Sequence, residues 1–260
     1  MSKLRFGRLF AFFTISWLTL YPFPLLAQEE SLFVPLPIQQ GKSPDFAVYE
    51  SVPVFFKTAG MTGFLQILQD KRVTPDYRET WGTSADPGFA LGYDDPFVES
   101  LKGHPLENGR IRLIDRHGRV IAVDSFDEPL ARIKTVYLYG TKFPSYLVSV
   151  DYGNGMGSYA GPATTLMEVR GGRLIDIPID LTQSLKNDWQ FVPAANGKGK
   201  EIEVIQCRPN FKNPNAAKTD EFVVDYSTYR FVDGQWRGHT LEKIGFWEGD
   251  ENFPPRSAFP

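Results

Sequence analysis

One cysteine, three histidines and no long apolar run beyond the first 26 residues leave this 260-residue chain short of the usual chemical handles. A lone Cys207 forms no internal disulfide, so the fold must rest on its hydrophobic core. Cys207 ends the alternating segment Glu201–Cys207 and reads as a small buried residue, with a reactive thiol as the rival reading. His104 precedes a proline, His117 sits in a turn and His239 follows one, and no His-x-x-x-His spacing links them. No metal or cofactor is expected from that pattern, and a catalytic triad assembled from distant positions has no signature here. Basic residues are also few, 28 against 31 acidic, and they form no patch. That balance argues against nucleic acid or anionic lipid as partners.

What is present begins with a leader. Lys3, Arg5 and Arg8 precede an apolar run from Leu9 to Tyr21, then Pro22, Phe23, Pro24 and Leu25-Leu26-Ala27. A basic start, a short apolar segment and a small residue before the cut predict a secretory signal peptide, residues 1–27, cleaved after Ala27. An uncleaved anchor is the alternative, but the run is shorter than the roughly 20 residues that span a bilayer. No later segment is apolar enough to span, so no membrane contact is expected beyond the signal peptide. The signal takes three basic residues and no acid, moving the net charge from −3 to about −6.

Residues 28–60 carry closely spaced prolines and short apolar words, which favour extended edge segments and suggest a Pro-rich N-terminal arm. A β-rich domain, 61–260, would follow. Thr62 reads as the cap of a short helix over Gly63–Lys71, with Phe64, Leu65, Ile67 and Leu68 on one face. Asp95 and Pro96 predict an N-cap and first residue for a second helix over Phe97–Lys102. Ile111–Asp115, Arg116-His117-Gly118 and Val120–Phe126 predict a hairpin, and Ile133–Tyr139 the next strand. Asp180 or Thr182 would start a third helix over Leu181–Trp189. The longest hairpin signal is Phe222–Val232, Asp233-Gly234, then Gln235–Ile244.

Tyr146 to Ile177 reads as a strand, a glycine-rich loop, a strand, the turn Gly171-Gly172 and a further strand. A similar plan returns before Asp233-Gly234, and a lone hairpin precedes both. The predicted fold class is therefore mainly β: antiparallel meanders in a partial, propeller-like domain with two or three short helices, or an open antiparallel sandwich.

The loop 153–161 resembles a phosphate cradle in its glycines, but Pro162 and a strand follow where such a loop needs a helix. Ser158 lacks the Gly-x-Ser-x-Gly frame of a nucleophile elbow. The loop is either a tight inter-strand connection or a contact loop with Tyr152, Asn154, Met156 and Tyr159 as anchors. Acidic residues at Asp94-Asp95, at Asp124, Asp127 and Glu128, and at Glu248, Asp250 and Glu251 fit no calcium-loop spacing and read as a solvated rim. Trp236, Tyr229, Phe231, Phe246, Trp247, Phe253 and Phe259 crowd the C-terminal end. They read as core, or as pins for the tail. Any that are exposed would form a protein-binding or sugar-stacking face.

The words Val-Asp-Tyr-Gly-Asn-Gly-Met-Gly-Ser-Tyr-Ala-Gly-Pro, Ser-Leu-Lys-Asn-Asp-Trp and Phe-Pro-Pro-Arg-Ser-Ala-Phe-Pro are distinctive. Over about Tyr137 to Pro260 the chain resembles a family of uncharacterised exported proteins of Gram-negative bacteria. The resemblance implies the periplasm, with secretion as the alternative, and carries no activity. The reading is a periplasmic, non-enzymatic protein-binding module with a protein partner: an inhibitor, an immunity-type protein or an envelope factor. An envelope hydrolase using Asp151, Ser158 or a histidine is one alternative, and a glycan-binding module is another.

Overall fold

Period-two alternation of apolar and polar residues decides most of the architecture. A computed structural model describes residues 46–56, 61–80, 88, 91–139, 144–150, 161–195, 197–213, 215, 221–249 and 251–260. All of these belong to one unit, residues 31–260. Within it the described chain forms twelve antiparallel strands in three four-stranded sheets. The first sheet holds β1 (Phe46–Phe56), β2 (Met61–Asp70), β3 (Arg110–Asp115) and β4 (Val120–Ser125). The second holds β5 (Arg132–Val136), β6 (Ser145–Val150), β7 (Ala163–Arg170) and β8 (Arg173–Ile177). The third holds β9 (Asn187–Pro193), β10 (Lys200–Pro209), β11 (Phe222–Val232) and β12 (Gln235–Ile244). In every sheet the spatial order is the chain order, so each is a simple meander, the plan of a propeller blade.

The helix expected over Gly63–Lys71 is strand β2. Phe64, Leu65, Ile67 and Leu68 fit a helical face, but Leu65 and Ile67 also fit alternation. The strand wins because β1 and β3 flank it and pair Leu65 with Leu113 and Ile67 with Ile111. Residues 46–56 of the Pro-rich segment are the edge strand β1, while 28–45 lie outside the described residues. Among the described residues the short helices α1 (Pro75–Thr80) and α2 (Pro96–Ser100) stand between β2 and β3. Asp95 caps α2 as expected, accepting the Phe97 N–H at 2.8 Å. The helix expected over Leu181–Trp189 is absent. There Asp180 accepts the Thr182 N–H in a local turn, and Asn187 onward pairs with β10 instead.

The sheets stack face to face, and the second is covered on both sides. Tyr146, Val148, Met167 and Leu174 meet Leu65, Ile67, Ile111 and Leu113 of the first sheet. From the opposite face Leu147, Leu166 and Ile177 meet Ile202 and Trp236 of the third. That is why β6 is buried almost throughout where other strands alternate. The outer face of the third sheet, with Ile205, Cys207, Val224 and Tyr226, is sealed by Trp247 and Phe259 of the tail. Cys207 is 4% exposed, in keeping with a core residue. Phe246 is the exception among the C-terminal aromatics, half exposed at 50%.

One carboxylate is poorly housed. Asp176 on β8 keeps a buried oxygen without a partner among the described residues. Burial, and then the negative charge of Asp124, raise its pKa. A carboxyl whose folded pKa is raised favours folding at low pH, and that contribution fades as pH climbs through the raised value. Asp176→Asn is therefore expected to raise the Tm at pH 7 by about 2–4 °C, for about 1 kcal/mol. The gain should shrink towards pH 4. A lower Tm at both pH values in differential scanning calorimetry would count against this assignment.

Candidate binding site

The glycine-rich loop joins β6 to β7, two inner strands of the second sheet, just beyond the Val150–Ala163 pair. Tyr152, Asn154, Met156 and Tyr159 lie outside the described residues, as do Asp151 and Ser158. At the loop's base the Pro162 carbonyl accepts the Gln183 N–H at 3.2 Å. That bond sets the crossover from β8 to β9 beside a groove in the third sheet.

The groove has a volume of about 210 Å³ and crosses all four strands of that sheet. Asp180 and Thr182 come from the crossover, Asn187 from β9, Val204 and Gln206 from β10, Ser227 and Tyr229 from β11, and Thr240 from β12. Register explains the convergence. Gln206 pairs with Asn187 and Asp225, and Ser227 with both Val204 and Thr240, so their side chains share one face. The same face is apolar nearer the β11–β12 turn, where Phe231 and Trp236 pack on Tyr139. Polar residues take over where the second sheet no longer covers it.

Asp225 is held at one end of the groove. Arg208 grips it with two bonds, Nε to Oδ2 at 2.6 Å and Nη2 to Oδ1 at 3.1 Å, and also reaches Glu242 at 3.1 Å. Lys212 binds the other oxygen of Glu242. The Ser227 and Thr240 hydroxyls bond each other at 2.8 Å. Burial raises the pKa of Tyr229; the Ser227 hydrogen bond opposes the shift and the charge of Asp180 adds to it. Tyr229 therefore stays a neutral hydroxyl. Its ring lies across Gly238, where an added Cβ would stand 2.8 Å from Cε1. The side-chain amides of Asn187 and Gln206 have no partner among the described residues, which leaves donors and acceptors for an incoming polar group.

The groove opens at Thr240 onto the outer edge of β12. This strand pairs with β11 without a break from Val232–Gln235 to Val223–Ile244. No described strand pairs with its other side. Asp233 (φ 53°) and Gly234 (φ 83°) are both left-handed, the conformation of a two-residue type I′ turn. Such a turn closes on a hydrogen-bonded pair, so Gln235, Arg237, His239, Leu241 and Lys243 turn their N–H groups towards β11. The Gly245 N–H, in the same phase, donates to Phe222 O at 3.1 Å. The N–H groups of Gly238, Thr240, Glu242 and Ile244 consequently point outward.

The remaining sheet edges are blunted. β1 carries Pro53 and a bulge between Val48 and Glu50. The pairing of β4 slips at Leu113–Ile114. The Ile133 N–H of β5 is taken by the Glu50 carboxylate at 2.6 Å. β8 is only five residues long, and β9 ends in Pro193. These are the devices by which sheets avoid further pairing. β12 has neither proline nor bulge; only the charges of Arg237, Glu242 and Lys243 guard it, and apolar groups stand exposed near its end: Ile244 at 69% and Phe211 at 77%, besides Phe246.

The three histidines are not brought together. Arg72 binds the backbone carbonyl of His104, His117 accepts from Arg116 in the β3–β4 turn, and His239 lies on β12. Among the described residues no group of three His, Cys, Asp or Glu side chains is placed to hold a metal, and no helix is long and apolar enough to cross a membrane. No protein-family model, curated protein or solved structure matches the chain.

Sequence reasoning missed both groove and edge. A usable signal was present: Asn187, Gln206, Asp225, Ser227 and Thr240 are polar at strand positions whose phase elsewhere is apolar.

Proposed function

We propose that this is an exported, periplasmic binding module that takes an extended segment of another protein as an added strand on β12. The long outer edge of β12, with neither proline nor bulge and no described strand beside it, carries the reading. Strand addition draws affinity from main-chain hydrogen bonds and specificity from pockets that receive alternate side chains. The groove ending at Thr240 is such a pocket, and its amides and hydroxyls suit a polar side chain. Ile244, Phe246 and Phe211 offer the apolar contact that polar backbone pairing lacks.

The test is cross-linked capture from bacterial envelope extract with three proteins: wild type, Thr240→Ala and Thr240→Pro. Proline at 240 removes an outward N–H and leaves the β11–β12 ladder whole, because proline is tolerated where the N–H faces solvent. One stoichiometric partner should be recovered by wild type and Thr240→Ala. Recovery should fall at least about tenfold with Thr240→Pro, or about 1.4 kcal/mol. Equal recovery by all three would rule out β12 as the docking edge.

A further inference from the structure

The face of β12 turned away from the groove carries Arg237, His239, Leu241 and Lys243. Only Leu241 is half-buried; the other three are exposed. Their neighbours across β11 are Arg230, Thr228, Tyr226 and Val224. No described carboxylate pairs with Arg237 or Lys243. Arg237 stands directly opposite another arginine, Arg230, whose guanidinium is engaged by Glu201 at 2.8 Å. Lys243 reaches only the carbonyl of Ala258, at 3.2 Å. Like charges directly opposite on neighbouring strands weaken a sheet, and opposite charges strengthen it. Arg237 and Lys243 are thus positive groups without a described carboxylate partner on the free edge of a net-negative chain, and the Arg237–Arg230 pairing weakens the isolated sheet.

We infer that the partner segment is acidic at alternate positions. Its carboxylates face Arg237, His239 and Lys243 across the new strand pair, and an apolar residue faces Leu241. This rests on the strand-addition reading above and adds the chemistry of the partner. A strand laid beside β12 brings its side chains to about 4.5–5.5 Å from those of β12, within reach of charge pairing. The groove face of the same segment is free to carry polar residues that meet Thr240 and Gln206.

Two labelled peptides test the inference by fluorescence anisotropy at low salt. One alternates glutamate with threonine, the other lysine with threonine. Wild type should bind the glutamate peptide and not the lysine peptide, although its net charge alone favours the reverse. The double variant Arg237→Glu, Lys243→Glu should bind the glutamate peptide about tenfold or more weakly and gain the lysine peptide. Thr240→Pro should lose the glutamate peptide, and circular dichroism should show each variant folded. Equal binding of both peptides by wild type, or no change on charge reversal, would overturn the acidic partner and leave strand addition standing. Undiminished glutamate-peptide binding by Thr240→Pro would overturn both. Binding of neither peptide would overturn the acidic partner, and the envelope capture would then judge strand addition separately.

Discussion

Replacing Gly199 by alanine is expected to lower the melting temperature by about 6–12 °C. Gly199 lies in the turn between β9 and β10 with φ +87°, a backbone state that costs an L-residue about 1–2 kcal/mol. A Cβ there would overlap the Leu138 carbonyl and stand 2.9 Å from the Tyr139 backbone. Backbone cannot swing aside as a flexible side chain does, so overpacking adds about 1–3 kcal/mol. The next residue suffers as well, since the Lys200 N–H donates to that same Leu138 carbonyl at 2.6 Å. This contact ties the turn of the third sheet to the strand exit of the second, and about 3 kcal/mol in all is expected. Thermal unfolding by circular dichroism measures it. Gly197→Ala is the control: its φ is +69°, but a Cβ there meets open space, so it should lose only the backbone share. Similar losses in the two variants would mean that the Leu138 contact contributes nothing.

Trp247→Ala should cost about 3–5 kcal/mol, the usual range for removing a buried tryptophan. Trp247 is 4% exposed and covers Ile205, Cys207, Val224 and Tyr226 with Phe259. Tyr226 also packs against Phe253 and Phe259, with ring centroids 6.0 and 4.9 Å apart. Loss of the indole loosens the whole tail, and Cys207 then reports on it. A thiol reagent that is slow on the native wild type should label Cys207 of the variant under native conditions. Wild-type labelling together with an unchanged Tm would show that the tail seals nothing.

How far the sequence could be read depended on how local each cause was. The Asp233-Gly234 turn with its two long strands was legible because the turn type and alternation are written in adjacent residues. The cap at Asp95 and the burial of Cys207 and Trp247 were legible for similar reasons. Met61–Asp70 was not, because its apolar spacing fits a helix and only β1 and β3 decide otherwise. That misreading concealed the first of three equivalent sheets and left its last hairpin looking solitary. Residues 181–189 failed likewise: Asp180 mimics a helix cap while forming a turn of its own. The groove depends on five residues brought together by register across four strands, and no single stretch announces it. The openness of β12 is a comparison with every other edge, which only an assembled sheet order provides.

Pairing only chain neighbours has a consequence for assembly. Each sheet completes its hydrogen bonding from its own stretch of chain, so a polypeptide delivered N-terminus first can close the first sheet before the second is made, once the long connection of residues 71–109 has brought β3 to β2. Its inner face stays wet, however, until Ser145–Ile177 arrives to cover it, and the second sheet waits in turn for the third. Maturation is thus a relay in which every finished layer exposes the adhesive surface for its successor. Trp247 and Phe259 end the relay by capping the last apolar face with a chain segment instead of a further sheet.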